Sequence, residues 1–288
     1  MKSGRPYLVI GSKGMLGTDL VSLLTESGLD AVGLDLNEVD IGDYASVITA
    51  VEKYAPSVLI NVAALTDVDG CESKAQQAFQ VNEEGPANLA RAARERGVFL
   101  VHLSTDYVFD GKKGASYREE DPIHPLGIYG KSKALGEQRV REALPDNHCI
   151  IRTQWLFGLH GKNFVETILS LAQKQEVIRV VNDQHGSPTY SPDLSAAIMT
   201  LCDERARGTI HVTNSGETTW YDFAARIVKQ SAAATVVEPM SSAELNRPAP
   251  RPPYAVLDNS RFVSISGRPL RSWEEALDDY LEKRKKRM

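Results

Sequence analysis

Tyr129 and Lys133, four positions apart in IYGKSK, are residue types that can do acid–base work together. On a helix, residues i and i+4 are neighbours on one face. A free phenol titrates near about 10, and an ammonium one turn away favours the phenolate and brings it toward the working range. Thr105, in Ser104-Thr105-Asp106-Tyr107, adds a hydroxyl able to hold a carbonyl oxygen beside that phenol. Together the three would reduce a carbonyl. Hydride from a nicotinamide would go to carbon, and the proton from Tyr129 to oxygen. Lys133 would also hydrogen-bond the nicotinamide ribose and position the hydride donor. Any exposed helix can carry such a pair, so its meaning rests on the elements around it.

A nucleotide site would have to lie nearby, and the first strand supplies a candidate. The apolar run Tyr7–Ile10 ends in Gly11-Ser12-Lys13-Gly14-Met15-Leu16-Gly17, and a helical pattern through Leu16, Leu20, Leu23 and Leu24 follows. A glycine turn opening a helix offers free backbone N–H groups to a pyrophosphate. The spacing is G-x-x-G-x-x-G, not the tighter G-x-G-x-x-G signature. Asp35, 18 residues after Gly17, stands where an acidic side chain meets the adenosine ribose hydroxyls. It disfavours a 2′-phosphate, whereas Lys13 would attract one, so NADH and NADPH both stay open. Plainer readings are a solvated strand end for Asp35 and a turn or helix cap for Asp40.

Further strands and helices alternate with short connections: AVGLDL (31–36), helical spacing over 45–54, SVLINV (57–62), a long helix over 75–96 closed by Gly97, and a fourth strand over 99–103. This predicts an α/β fold, a doubly wound parallel sheet of modified Rossmann type with helices on both faces. Its carboxyl edge is where Thr105 would face a ligand. After residue 157 polar turns grow denser. Helical patterns occur at 163–175, 192–204 and 219–231, with a short strand at 210–212. Residues 246–253, NRPAPRPP, read as an ordered loop or flap. The expected division is an NAD(P)-binding domain over 1–157, to which 189–213 returns, and a smaller C-terminal α+β substrate domain over 158–288.

Bulk properties exclude several classes. Net charge is −5, with 42% hydrophobic and 25% charged residues, which favours neither nucleic acid nor an anionic membrane. No apolar run spans a bilayer, and MKSGRPYLVIGSKG lacks a signal-peptide core. Three scattered cysteines suit a reducing cytoplasm, and six scattered histidines suggest no metal site. The basic run KRKKRM (283–288) reads as a helix end.

GSKGMLG, STDYVFDG and YGKSK resemble the extended short-chain dehydrogenase/reductases, and within them the dTDP-4-dehydrorhamnose reductase family. The blocks LINVAALTDVDGCE (59–72), VNEEGPANLA (81–90), RTQWLFG (152–158), VVNDQHGSPTYSPDLS (180–195) and RPPYAVLDNSRF (251–262) strengthen the likeness, which runs from residue 8 to about 275. The resemblance implies catalysis by Tyr129, Lys133 and Thr105. Asp106 would lie near the sugar and Trp155 would line the substrate site. Gly14, Met15, Leu16, Asp40, Ile41, Ala63, Ala64 and Leu65 would be cofactor contacts. It implies reduction of a 4-keto-6-deoxy sugar nucleotide with NADPH or NADH, and it allows a homodimer. Gln154 and Ala255 depart from residues common in that family, and Met15 stands where some members hold magnesium through an acidic side chain, so no metal is carried over. Two other readings stay open. One is a sibling epimerase or dehydratase, disfavoured because no Glu follows Asp106. The other is a regulatory subunit resembling the β subunit of methionine adenosyltransferase.

Overall fold

Successive side chains of a strand point to opposite faces of its sheet, and in this chain both faces of the central strands are apolar. The computed structural model describes residues 4–231 and 233–287. Its main sheet comprises β1 (Tyr7–Ile10), β2 (Ala31–Leu34), β3 (Val58–Asn61), β4 (Phe99–Thr105), β5 (His148–Thr153) and β6 (Gly208–His211). They lie in the order β6-β5-β4-β3-β1-β2, every pairing parallel. Val9, Val58, Ile60, Val101 and Ile151 face one side. There α1 (Met15–Glu26) packs through Leu16, Leu20 and Leu24. The intervening Leu8, Ile10, Leu59, Leu100 and Ile150 face the other. That side is covered by α2 (Tyr44–Tyr54), α3 (Gly85–Arg96) and α4 (Ile128–Ala143). The helix α5 (Ser191–Asp203) shares the face of α1. The doubly wound sheet is the one the alternation predicts.

Differences from the sequence reading have local causes. β5 went unseen because His148 opens it and Arg152-Thr153 close it, so its apolar run is short, although all six residues are buried. The expected single helix over 75–96 is interrupted. An α-helical turn, Ala75–Phe79, passes through a π turn, Gln80–Glu84, into α3. Gly97 closes α3 in the left-handed region, φ 64°. Beyond the sheet, Val177–Val181 pairs in parallel with Val236–Met240. A second core gathers Phe157, Tyr190, Phe223, Trp273 and Tyr280. Residues 246–253 form an irregular strap, as read from their prolines. The basic run ends the helix Trp273–Arg287, and Met288 lies outside the described residues.

The sheet order reverses between β1 and β3, and this is the place where open α/β sheets bind ligands. Gly11 has φ 87°, and a Cβ on it would lie 2.7 Å from the Ala63 nitrogen that follows β3. A Cβ on Gly17 would lie 2.1 Å from the Gly11 carbonyl oxygen. The turn therefore closes only without side chains at these points. Substituting Gly17→Ala should destabilise the chain by about 1–3 kcal/mol by overpacking. Urea denaturation checks this, and an unchanged midpoint would refute the packing argument.

Candidate active site

The carboxyl ends of β1, β3, β4 and β5 open into a cavity of about 460 Å³, within the range of small-molecule sites. On one wall lie Met15, Leu16 and Gly17, with Ala64 beyond β3; on another lie Thr105, Asp106, Tyr129 and Lys133; Trp155 adds a third. Gly11, Gly14, Asp35, Asp40, Ile41, Ala63 and Leu65 do not line this cavity. Ala63 packs against Gly11, as a small residue must where two backbones approach. Ile41 is buried in the core beside Gly85, and Asp40 holds a turn by accepting from the Gly42 N–H at 2.8 Å. Asp35 ties the glycine turn to the end of β2, with one carboxylate oxygen accepting from the Lys13 N–H at 2.9 Å. The Lys13 ammonium pairs with Glu38 at 3.1 Å, a partner the sequence reading did not consider.

The N-terminus of α1 suits an anion. Gly14 offers it no side-chain cap, and its first turn holds no acidic residue. The positive end of the helix dipole therefore faces the cavity wall uncompensated. A dinucleotide's pyrophosphate suits this wall, where a tight glycine turn leaves the first backbone N–H groups of α1 uncapped by any side chain.

At the other wall, α4 carries Tyr129 and Lys133 on one face and is pressed onto the strand ends. A Cβ on Gly130 would lie 2.2 Å from the Tyr107 carbonyl oxygen, so only glycine lets the helix come this close. Tyr107 packs edge-on against Tyr129, with centroids 5.4 Å apart at 76°. Glu72 accepts from the Ile128 N–H at 2.8 Å and caps α4. From the π turn, Asn82 donates to Ser132 Oγ at 3.1 Å and to the Leu65 carbonyl at 3.1 Å, and accepts from the Leu65 N–H at 2.9 Å. That side chain binds the loop after β3 to α4.

Burial sets the electrostatics. It pushes the Tyr129 phenol well above its ordinary value, against a hydrogen bond from Thr105 and with the Asp106 charge adding to the rise. It raises Asp106 to about 7, opposed by the Thr105 hydroxyl, which donates to Asp106 Oδ1 at 2.9 Å. It lowers Lys133 to about 8, opposed by Glu137. Here the structure differs from the sequence argument. Lys133 Nζ donates to the Leu103 carbonyl at 2.6 Å, toward the end of β4, and the group that pulls the phenol down is Thr105.

Glu137, one further turn along α4, anchors this wall. It accepts from Ser104 Oγ at 2.5 Å, from Arg152 Nε at 2.8 Å and Nη2 at 2.7 Å, and from Arg141 at 3.1 Å. Burial would raise its carboxyl, but the hydrogen bonds and charge of Arg152 outweigh that and hold it near about 2. Sequence reasoning missed Glu137, although extending the spacing of Tyr129 and Lys133 by one turn reaches it. Asn82 and Arg152 carry no comparable sequence signal. The strap is tied down by Asp69, which accepts from Arg251 at 2.6 Å, from the Ala249 N–H at 3.1 Å and from Arg247 at 2.9 Å. Trp155 stacks on Trp220, centroids 3.6 Å apart, so it belongs to an aromatic wall and not to the sheet core. Among the described residues no three His, Cys, Asp or Glu side chains converge as metal ligands, and no helix is long and apolar enough to cross a membrane.

A parallel sheet with a glycine turn at its switch point, and a Thr/Tyr/Lys set above its edge, defines an extended short-chain dehydrogenase/reductase fold. More narrowly, the chain belongs to the RmlD substrate binding domain family, whose model matches residues 5–286. The spore coat polysaccharide biosynthesis protein SpsK of Bacillus subtilis is 42% identical, covering 96% of this chain and 97% of its own. A dTDP-4-dehydrorhamnose reductase of Streptomyces griseus is 43% identical over 95% and 92%. The crystal structure of dTDP-4-dehydrorhamnose reductase from Bacillus anthracis in complex with NADP superposes with a TM-score of 0.94 at 36% identity, covering 97% and 99%.

Breaking a buried ion pair by removing one charge leaves the other uncompensated, at about 3–5 kcal/mol. Glu137→Gln should lose that much stability in guanidinium denaturation. Because the folded Glu137 value lies below the ordinary 4.5, its contribution is present above pH 4.5 and fades as pH falls toward 2. The variant should therefore lose less than the parent over that window.

Proposed function

We propose that this chain is an NAD(P)H-dependent oxidoreductase that reduces the 4-keto group of dTDP-4-dehydrorhamnose to give dTDP-L-rhamnose. The observation that carries the reading is the single cavity flanked by the α1 N-terminus on one side and Thr105, Tyr129 and Lys133 on the other. When bound, the nicotinamide supplies the hydride. Tyr129 gives its proton to the carbonyl oxygen as that oxygen gains charge. The Thr105 hydroxyl is in hydrogen-bond contact with Asp106 at 2.9 Å and with the phenol, and its bond to the phenol opposes the rise that burial causes. The Lys133 ammonium sits in a site that excludes water, where a positive charge favours the phenolate left behind. Asp106 and Trp155 meet the sugar. Gly11, Gly14, Met15, Leu16, Gly17, Ala63, Ala64 and Leu65 shape the dinucleotide cradle, with Asp35, Asp40 and Ile41 toward its adenosine end.

In this reading residues 1–157, with 189–213 returning to the sheet, hold the cofactor, and 158–288 mainly hold the sugar nucleotide. The site of action is the cytoplasm, in keeping with three free, buried cysteines. A homodimer would appear in light scattering as twice the 31.6 kDa chain mass.

The direct test is oxidation of NADPH and NADH, followed at the nicotinamide absorbance, with dTDP-4-dehydrorhamnose made in situ. Oxidation in step with new dTDP-rhamnose supports the reading. Cofactor binding without oxidation by any 4-keto sugar nucleotide points instead to a regulatory subunit. Tyr129→Phe should lower kcat by at least about 10²-fold while cofactor Kd stays within twofold. Full turnover in that variant would remove Tyr129 from the mechanism. With Lys133 lowered to about 8, kcat/KM for reduction should fall as the ammonium loses its proton above pH 8. A profile flat to pH 10 would show that its charge is not needed.

A further inference from the structure

The cavity contains a polar group to which the mechanism gives no task. Gln154 is 3% exposed, and neither its side-chain oxygen nor its nitrogen has a partner among the described residues. A buried amide left unpaired is costly, and most such groups in folded proteins are satisfied. Its neighbour Thr153 also has an unpartnered buried hydroxyl, and both line the cavity. In a regular strand these consecutive side chains would point to opposite faces. Here the chain leaves the strand at once. Trp155 has φ 47°, a conformation costly for a bulky residue, and Thr153, Gln154, Trp155 and Leu156 all border one cavity. Gln154 thus borders the cavity with its amide buried in the wall and unpaired.

Position decides which ligand. A Cβ on Gly186 would lie 2.7 Å from Gln154 Oε1 and 2.5 Å from the Trp155 ring. Gly186 pairs with Thr218, in the C-terminal part of the chain. The amide oxygen therefore abuts the C-terminal part of the chain, the part that the sugar-nucleotide reading assigns to the sugar. A carboxamide presents one donor end and one acceptor end whichever way it is turned. Its natural complement is a pair of adjacent neutral hydroxyls, one accepting and one donating.

We propose that Gln154, supported by Thr153, is a specificity-determining residue that hydrogen-bonds ring hydroxyls of the sugar beside the reacting carbonyl. This rests on the sugar-nucleotide reading above and adds to it the feature by which a hydroxylated sugar is preferred over a deoxy one. A site built to bond a hydroxyl discriminates strongly against an analogue lacking it, because its own polar groups are then left unpaired.

The test compares the wild-type chain with Gln154→Met, which keeps length and volume but removes both hydrogen-bonding ends. dTDP-4-dehydrorhamnose and a 2-deoxy analogue are assayed with saturating NADPH, and NADPH Kd is measured by fluorescence titration. Wild-type turnover of the first substrate tests the assigned reaction; the difference between the two chains tests Gln154. Expected is a rise in KM for the hydroxylated sugar of about 10–100-fold, kcat changing less, NADPH Kd within twofold, and a wild-type preference for the hydroxylated sugar that shrinks in the variant. The melting temperature of the unliganded variant should be unchanged or higher, since an unpaired buried amide has been removed. A glutamine that merely supported the fold would lower it. Unchanged KM and preference overturn the proposal. So does a weaker NADPH Kd with unchanged sugar KM, which would assign the amide to the nicotinamide carboxamide. Should Gln154→Met misfold, Gln154→Asn, which keeps the chemistry but shortens the reach, must show the same loss of preference.

Discussion

The ion pair between Glu137 and Arg152 governs the geometry at the sheet edge. Both are almost wholly out of water, and desolvating two charges costs several kcal/mol unless every lone pair and proton is matched. Here the matching is close to complete. Ser104 at the end of β4, Arg152 at the end of β5 and Arg141 one turn further along α4 all converge on one carboxylate. Arg152 also lies over the Phe109 ring at 5.1 Å, which extends the anchorage to the loop after β4. An apolar contact of equal volume could hold the helix as firmly, but it would tolerate small slips. A bidentate pair does not, and it fixes the rotation of α4 so that Lys133 and Tyr129 project over Leu103 and Thr105.

The same edge concentrates unfavourable features. Trp155 takes a left-handed backbone, Asp106 keeps one oxygen unpartnered and the phenol is buried, which drives its pKa up. The well-packed sheet beneath holds these features in place. Leu59, Val58, Leu100 and Ile150, each at most 1% exposed, fill both its faces. Stability is thus drawn from one layer and spent at its rim, a common division in open α/β proteins.

Legibility in the sequence followed the range of the interactions. The glycine turn and the first four strands were readable because each is encoded within a few adjacent residues. So was the helical register of Tyr129 and Lys133. β5 was not readable, because its polar end belongs to a partner on another element, Arg152 to Glu137 of α4. The role of Asn82 was hidden for the same reason, since its partners lie at Leu65 and Ser132. The full setting of Lys133 was hidden as well. Spacing alone puts an ammonium near Tyr129, but only the fold shows it captured by the Leu103 carbonyl.

The π turn at Gln80–Glu84 bears on how this chain can change. A π turn is one residue more than an α-helix needs, and each residue turns an ordinary helix by about 100°. Deleting one residue between Ala75 and Arg96 would relax the turn into a plain helix. It would also swing Asn82 away from Leu65 and Ser132, or carry the apolar face of α3 away from the sheet. Insertions and deletions in this stretch are therefore as constrained as substitutions in the cavity itself, although the helix surface between them faces water.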